Sequence, residues 1–368
     1  MTQLEMGLAS TTTIGTGIMG IGYTDNEANV ATGNGTVYPN LPVTMVNQGL
    51  INSVAYSLWL NDLQSSTGSV LFGGVDTGKY TGDLISVDIY PSSGNVITSF
   101  TVAWTSLSAT SSSGTDQLTP SNFAEPAILD SGTTITLLPN DVAAMVFEEL
   151  GATVDNQLGA VVVPCSLAEN SGTLNYQFGG SGGPTIKIPM NELVLPLVLT
   201  NGRVPTYSNG QTACQLGIEA AGSDPTLLGD TFLRSAYAVY DLQNNKIALA
   251  QTDFNSTTSH VVAFASAGAA IPSATTASNQ AEVTQTATGV PKVGTITEIS
   301  GQTETVTYNP TATGLSAASG FGTVSTATST KKSAAGSGPE PFAWSRVVVG
   351  GVTVALVGLG GGFFAFIL

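Results

Sequence analysis

The sequence predicts an all-β fold over residues 1 to about 262. Two observations carry this expectation, the short apolar runs and the abundance of glycine. Runs such as YSLWL (56–60), SVLFGG (69–74), LISVDIY (84–90) and YAVYDL (237–242) have strand length, and Gly, Asn, Asp and Ser punctuate them. The 43 glycines of this 368-residue chain suit many tight turns. Two helical pieces interrupt the pattern. In PNDVAAMVFEEL (139–150), Asn140 or Asp141 is placed to cap a helix whose apolar face is Val142, Met145, Val146 and Leu150. A second short helix is expected in PVTMVNQGLI (42–51).

After Phe264 the composition changes. Ala, Ser, Thr and Gly dominate to about Pro341, with no sustained apolar period. Such a stretch buries too little surface to offset the entropy of ordering, so residues 263–345 are expected to form a disordered stalk. Two N-glycosylation sequons, NGT at Asn34 and NST at Asn255, fit a secreted chain. The last segment, Val347–Leu368, is apolar throughout and has no basic residue after it. Small residues in SAAGSG (333–338), a polar spacer and a terminal apolar tail match a GPI-attachment signal better than a plain transmembrane helix. Either would give residues 346–368 a role in holding the protein to a membrane at the cell surface. The opening MTQLEMGLAS has no apolar core of a secretory signal. An exit signal without an entry signal is incoherent, so the natural beginning of the protein is expected to lie upstream.

Charge narrows the function. The chain has 25 acidic and 9 basic residues, a net charge of −16, which disfavours nucleic acid and anionic membrane surfaces as partners. Only 9% of residues are charged, so few ion pairs are lost on protonation and acid should be tolerated. The single histidine, His260, lies where ordered structure is expected to end. A Ser-His-Asp or Cys-His site needs an imidazole inside the fold, and a zinc protease needs at least two histidines. Carboxylate chemistry remains, with no metal or organic cofactor. Cys165 and Cys214 are too few for a zinc cage and too distant for a CxxC pair. They read as one disulfide in a secreted protein, or as two buried thiols.

The sharpest stretch is AILDSGTTITLLP (127–139). An aspartate stands between an apolar strand and a Ser-Gly-Thr-Thr turn. Two carboxylates sharing a proton can activate water against a peptide carbonyl, and each then needs a tight turn with amide and hydroxyl donors. Asp130 is the carboxylate, Gly132 lets the turn close, and Ser131 and Thr133 carry hydroxyls. The plainer reading is an aspartate capping a β-turn.

These residues resemble the pepsin-like aspartic proteases, most of all the fungal GPI-anchored type, over residues 1 to about 260. The resemblance implies an all-β, bilobal fold, with a partial N-terminal lobe over 1–90 and a C-terminal lobe over 91–262. AILDSGTT looks like the active-site loop of the C-terminal lobe, which makes Asp130 a catalytic aspartate, Ser131 an inter-lobe hydrogen-bonding residue and Thr133 the group that orients the carboxylate. TLLGDTFLRSAYAVYDLQNNKIALA (226–250) looks like the family's closing segment, in which Leu227, Leu228 and Gly229 thread behind that loop. The two cysteines fall where that lobe's disulfide is expected. GTGIMGIGY (15–23) looks like the matching strand of the first lobe, with Ile18, Met19 and Gly20. SLWL (57–60) to GDL (82–84) looks like that lobe's end, leading into the inter-lobe sheet.

Asp130 and Leu227 are 97 positions apart. The same step back from Ile18 passes Met1, so the first catalytic aspartate and its flap hairpin are expected upstream, and the N-terminal lobe here is expected to be incomplete. VDTGK (75–79) carries the family's Asp-Thr-Gly triplet in the wrong setting: Asp76 follows two glycines, not an apolar strand, and reads as a hairpin-turn residue. The function implied is an endopeptidase that holds an extended polypeptide between lobes, monomeric when complete. This chain alone is expected to be inactive. The rival reading is a non-catalytic cell-surface protein that retains a protease-like lobe as a peptide-binding or structural module.

Overall fold

The computed structural model describes residues 4–8, 10, 17–27, 30, 35–92, 94–199, 202–286 and 317–321, and the backbone of 348–349 and 363–364. Asn34 and the SAAGSG segment lie outside the described residues, as does the apolar C-terminal segment apart from those four backbone positions. Among the described residues no helix is long and apolar enough to cross a membrane.

Strands dominate, as the punctuated apolar runs predict. The largest sheet has eight strands. Seven run in the order Thr185–Pro189, Thr173–Phe178, Thr101–Ser111, Glu125–Leu129, Thr226–Leu228, Thr136–Leu138 and Ile218–Ala220, and Gly114–Gln117 adds to the long Thr101–Ser111 strand. In Thr173–Phe178 alternate residues face inward, so Leu174, Tyr176 and Phe178 are buried while their neighbours are half-exposed. Tyr176 and Phe178 both meet the ring of Phe232 edge-on.

A second sheet has six strands in the order Ala274–Thr276, Tyr80–Asp88, Lys246–Thr252, Ala236–Asp241, Ala55–Trp59 and Ser69–Phe72. Its central strand, Ala236–Asp241, is buried at every position, which explains why its sequence is nearly continuous in apolar residues. This sheet draws strands from both sides of residue 90, and one core joins Ile21, Leu41 and Tyr56 to Trp104, Leu174 and Phe232. The boundary expected at residue 90 is therefore bridged by shared pairing and shared packing.

Residues 140–150 form the expected helix, Asn140–Leu150, with Val142, Val146, Phe147 and Leu150 buried. It stops at Gly151, whose φ of 63° is the left-handed conformation that glycine adopts at little cost. Neither expected cap serves as one. Pro139 occupies the N-cap, and the Asn140 side chain instead accepts from the Gly222 amide at 2.9 Å. The earlier helix is shorter than the sequence suggests, spanning Leu41–Asn47, because Gly49 turns left-handed just after it.

Ordered structure also continues past the boundary expected at 262. Ala274–Thr276 pairs in parallel with Tyr80–Asp88, and Phe264 and Ile271 are buried against Trp59, Val75 and Tyr237. Backbone pairing at a sheet edge requires no apolar period, so a Ser/Thr/Ala-rich stretch can join a sheet that its composition does not announce. Asp76 belongs to this clasp. It ends the Gly74–Asp76 strand and accepts from the amides of Gly78 (3.0 Å) and His260 (2.7 Å) and from the Ser259 hydroxyl (2.7 Å). These bonds outweigh the cost of its burial and hold its carboxyl below the usual range, although burial is the largest single influence and acts the other way.

Candidate active site

Asp130 sits immediately after the Glu125–Leu129 strand, and one parallel and one antiparallel pairing fix its place. The Thr226–Leu228 strand runs parallel to Glu125–Leu129, with Leu228 opposite Leu129, and antiparallel to Thr136–Leu138 through Leu227 and Leu137. The Asp130 amide donates to the Leu228 carbonyl at 3.1 Å. The loop between Asp130 and Thr136 therefore doubles back over a strand that arrives about 100 positions later, as the apolar pair before Gly229 leads one to expect.

The carboxylate is held on both oxygens. Oδ1 accepts from the Gly132 amide at 2.9 Å and Oδ2 from the Thr133 hydroxyl at 2.8 Å. Only 4% of the residue is exposed. Burial disfavours the charged form and lifts its pKa to about 6, while the Thr133 and Gly132 hydrogen bonds pull the other way. Ser131 and Gly132 are half-buried, and Thr133 is buried.

Asp230 and Thr231 brace this loop and Tyr56 and Tyr240 lie near it, although the sequence assigns none of the four a role in the site. Asp230 follows Gly229, and its amide donates to the Thr133 carbonyl at 2.8 Å. Burial raises its pKa to about 7, with the Arg234 charge opposing and the Asp130 charge adding to the rise. Thr231 donates its hydroxyl to the Gly217 carbonyl at 2.7 Å and accepts from the Thr136 amide at 3.0 Å, tying the far side of the loop to the strand beyond. Tyr56 and Tyr240 stack at 4.9 Å near Asp130, and both phenols are held protonated by burial. An acid directly after the Leu-Leu-Gly strand is the one signal in the sequence that could have drawn attention to Asp230.

The remaining expected residues lie apart from this loop. Cys165 and Cys214 form the expected disulfide, with Cα atoms 4.9 Å apart, where the two central strands of a four-stranded sheet, Ala160–Pro164 and Ala213–Leu216, pair. Asn255 is exposed at φ 58°, in the turn after Lys246–Thr252. No cluster of metal-binding side chains occurs among the described residues. The site can hold and release a proton near pH 6 on a carboxyl whose orientation is fixed by two donors.

A family model described as eukaryotic aspartyl protease matches residues 2–252. The chain is similar to "Probable aspartic-type endopeptidase opsB" of Aspergillus oryzae, at 42% identity over 278 residues, covering 75% of this chain and 55% of that protein. It is 35% identical over 259 residues to "Acid protease" of Saccharomycopsis fibuligera, covering 69% of this chain and 61% of that one. Among solved structures, the aspartic proteinase from Irpex lacteus is similar at 26% identity and a TM-score of 0.47, covering 61% of this chain and 64% of that chain. The chain thus spans little more than half the length of the curated relatives named here. On the extent of the family match and the identity to these relatives, the chain belongs to the eukaryotic aspartyl protease family.

Proposed function

We propose that this chain carries the C-terminal half of the active site of an acid endopeptidase, with Asp130 as one of two catalytic aspartates. The observation that carries the reading is the hold on Asp130: a buried carboxyl with an amide on one oxygen and a hydroxyl on the other, backed by the Thr226–Leu228 strand. In this reading the second aspartate comes from sequence upstream, in line with the share of its relatives that the chain spans. One carboxylate takes a proton from water as it attacks the peptide carbonyl, the other gives a proton to the carbonyl oxygen, and the leaving amine is protonated as the C–N bond breaks. Neither half suffices, because a lone carboxyl cannot act as base and acid in one step. The substrate is an extended polypeptide held between lobes by the complete, monomeric enzyme, with Ser131 bonding across them.

The same reading places the protein outside the cell. A relative 37% identical is named "Secreted aspartic protease 1", from Candida albicans. The apolar C-terminal segment serves as a GPI signal at the cell surface, and Asn34 and Asn255 carry glycans. The exposure of Asn255 suits the last of these.

The test is a peptide cleavage assay between about pH 3 and pH 6, with and without pepstatin, bracketing the range where such carboxyls titrate. The chain extended upstream should cleave, pepstatin should stop it, and Asp130→Asn should abolish it. The 368 residues alone should be inactive. An extended chain indifferent to Asp130→Asn would sink the enzyme reading and leave the non-catalytic one.

A further inference from the structure

A short piece of the Ser/Thr/Ala-rich region returns to the core. Ala317 and Phe321 are buried members of the main hydrophobic cluster, and Ala318–Phe321 forms a single helical turn against the helix Asn140–Leu150. The seat is built for it. The Ser111 hydroxyl donates to the Ala317 carbonyl at 2.6 Å, and the Asn170 carboxamide donates to the Gly320 carbonyl at 2.9 Å. The Phe321 ring covers Gly172 so closely that a Cβ there would stand 2.3 Å from the ring, and a Cβ on Gly320 would stand 2.1 Å from Ser111 Oγ. Only glycine fits at either position.

Under this seat lies a pair of acids. The Ala317 amide donates to Asp116 Oδ2 at 2.7 Å. Beside Asp116 stands Glu149, 1% exposed, with neither carboxylate oxygen accepting a hydrogen bond. The two carboxyls are close enough to bond once one of them carries a proton, and burial, then the charges of Asp116 and Glu148, raise the pKa of Glu149 to about 7. Among the described residues, the elements packed on Glu149 offer no cation. Gly114–Gln117 brings Asp116, its own helix brings Glu148, and Ile218–Ala220 brings Glu219, whose carboxyl accepts from Gln215. Thr136–Leu138 and Ala318–Phe321 bring nothing titratable.

We propose that Glu149 and Asp116 form an acid-held clasp that ties residues 317–321 to the lobe in acid and releases them towards neutral pH. In acid the Glu149 hydroxyl donates to Asp116, and Asp116 accepts the Ala317 amide. As pH rises Glu149 gives its proton to solvent, and the two carboxylates then face each other without the proton they shared. Undocking then lets Glu149 reach water. A carboxyl whose pKa is higher docked than free favours the docked form below its free value and loses that contribution as pH climbs to the docked value. In this chain that window runs from about 4.5 to about 7. The clasp is independent of proteolysis.

Hydrogen exchange of the peptide spanning 317–321, read by mass spectrometry in the 368-residue chain, tests it. Protection, corrected for intrinsic rates, should fall at least about tenfold between about pH 4.5 and about pH 7.5. The Ala236–Asp241 strand should keep its protection and so serve as the reference. Glu149→Gln, whose amide donates at any pH, should hold the segment docked at the higher pH. Asp116→Asn changes a half-exposed position and is tolerated by the fold, and its amide can donate to ionised Glu149 while its oxygen accepts the Ala317 amide. It should flatten the dependence too. Equal protection at both pH values, an undiminished fall in either variant, or a parallel fall in the reference strand would overturn the clasp.

Discussion

The amide of Asp230 donates to the carbonyl of Thr133 at 2.8 Å, so the turn after the Thr226–Leu228 strand grips the loop that carries Asp130 from behind. This one bond joins positions almost a hundred residues apart. It also fixes the approach of Gly229 to that loop.

Gly229→Ala should be destabilising. A Cβ at this position would stand 2.2 Å from the Thr133 carbonyl oxygen and 2.8 Å from that of Ile135, both backbone atoms that cannot swing aside. Overpacking of this kind costs roughly 1–3 kcal/mol, and here the displaced atoms belong to the loop of Asp130. Urea unfolding should show the lower midpoint, and the extended chain should lose activity in the same variant.

Legibility in the sequence followed the distance over which an interaction acts. The turn at Asp130 can be read because its donors, Gly132 and Thr133, lie within three positions of the carboxylate. The helix Asn140–Leu150 announces itself by its period, and the disulfide by an even cysteine count in a secreted type of chain. What escapes is long-range and polar. Thr231 bonds Thr136 across 95 positions, and Ala317 bonds Asp116 across 201. Such partners leave no periodic trace. The strand Ala274–Thr276 escapes for a related reason, since it joins the sheet through its backbone and its side chains are small.

Thr133→Val should raise the pKa of Asp130 above its present value of about 6. The hydroxyl bonds the ionised carboxylate and so lowers the pKa, and valine keeps the volume while removing the donor. Carbon-detected titration of the aspartate carboxyls would follow the change. In the extended chain the activity profile should move the same way, with a loss on the order of tenfold as the carboxylate loses its orientation. A titration unmoved from the natural chain would show that Thr133 does not set it.

Stability should decline as pH rises from 4 towards neutrality. Asp130 and Asp230 both titrate higher in the folded protein than the usual 3.8, near about 6 and about 7. The native state therefore keeps protons that the unfolded chain gives up. The contribution is complete below about pH 4 and is lost as pH climbs through those two values. Asp230→Asn removes the upper step, so its unfolding midpoint should vary less between about pH 5.5 and pH 7.5 than that of the natural chain.

Reduction of the Cys165–Cys214 bond, whose ends are 49 positions apart, should lower stability by roughly 4 kcal/mol if the constraint acts on the unfolded chain. Denaturant titrations with and without dithiothreitol measure it. A midpoint unchanged by full reduction would place the stabilisation of this strand pair in the backbone pairing of Ala160–Pro164 with Ala213–Leu216 alone.

Arg234→Met should cost roughly 3–5 kcal/mol near neutral pH and less in acid. Arg234 is buried against Glu192, donating Nε to the carboxylate at 2.7 Å and Nη2 to the Glu192 carbonyl at 2.6 Å. Glu192 is itself fully buried and reaches Leu63 through that residue's amide at 3.1 Å, so the pair links the 62–65 turn to the helical turn before Val194. Burial already raises the pKa of Glu192, and the Arg234 charge is the main influence holding it down. Methionine removes that charge and leaves an anion inside the protein. The carboxyl then takes up a proton at higher pH than before, which is why the penalty shrinks as the solution is acidified. Adding Glu192→Gln should recover a large part of the loss at neutral pH, because the carboxamide oxygen still accepts the Leu63 amide without a charge to bury. If the double variant were no more stable than Arg234→Met alone, the cost would lie in lost packing of the arginine stem and not in the stranded carboxylate.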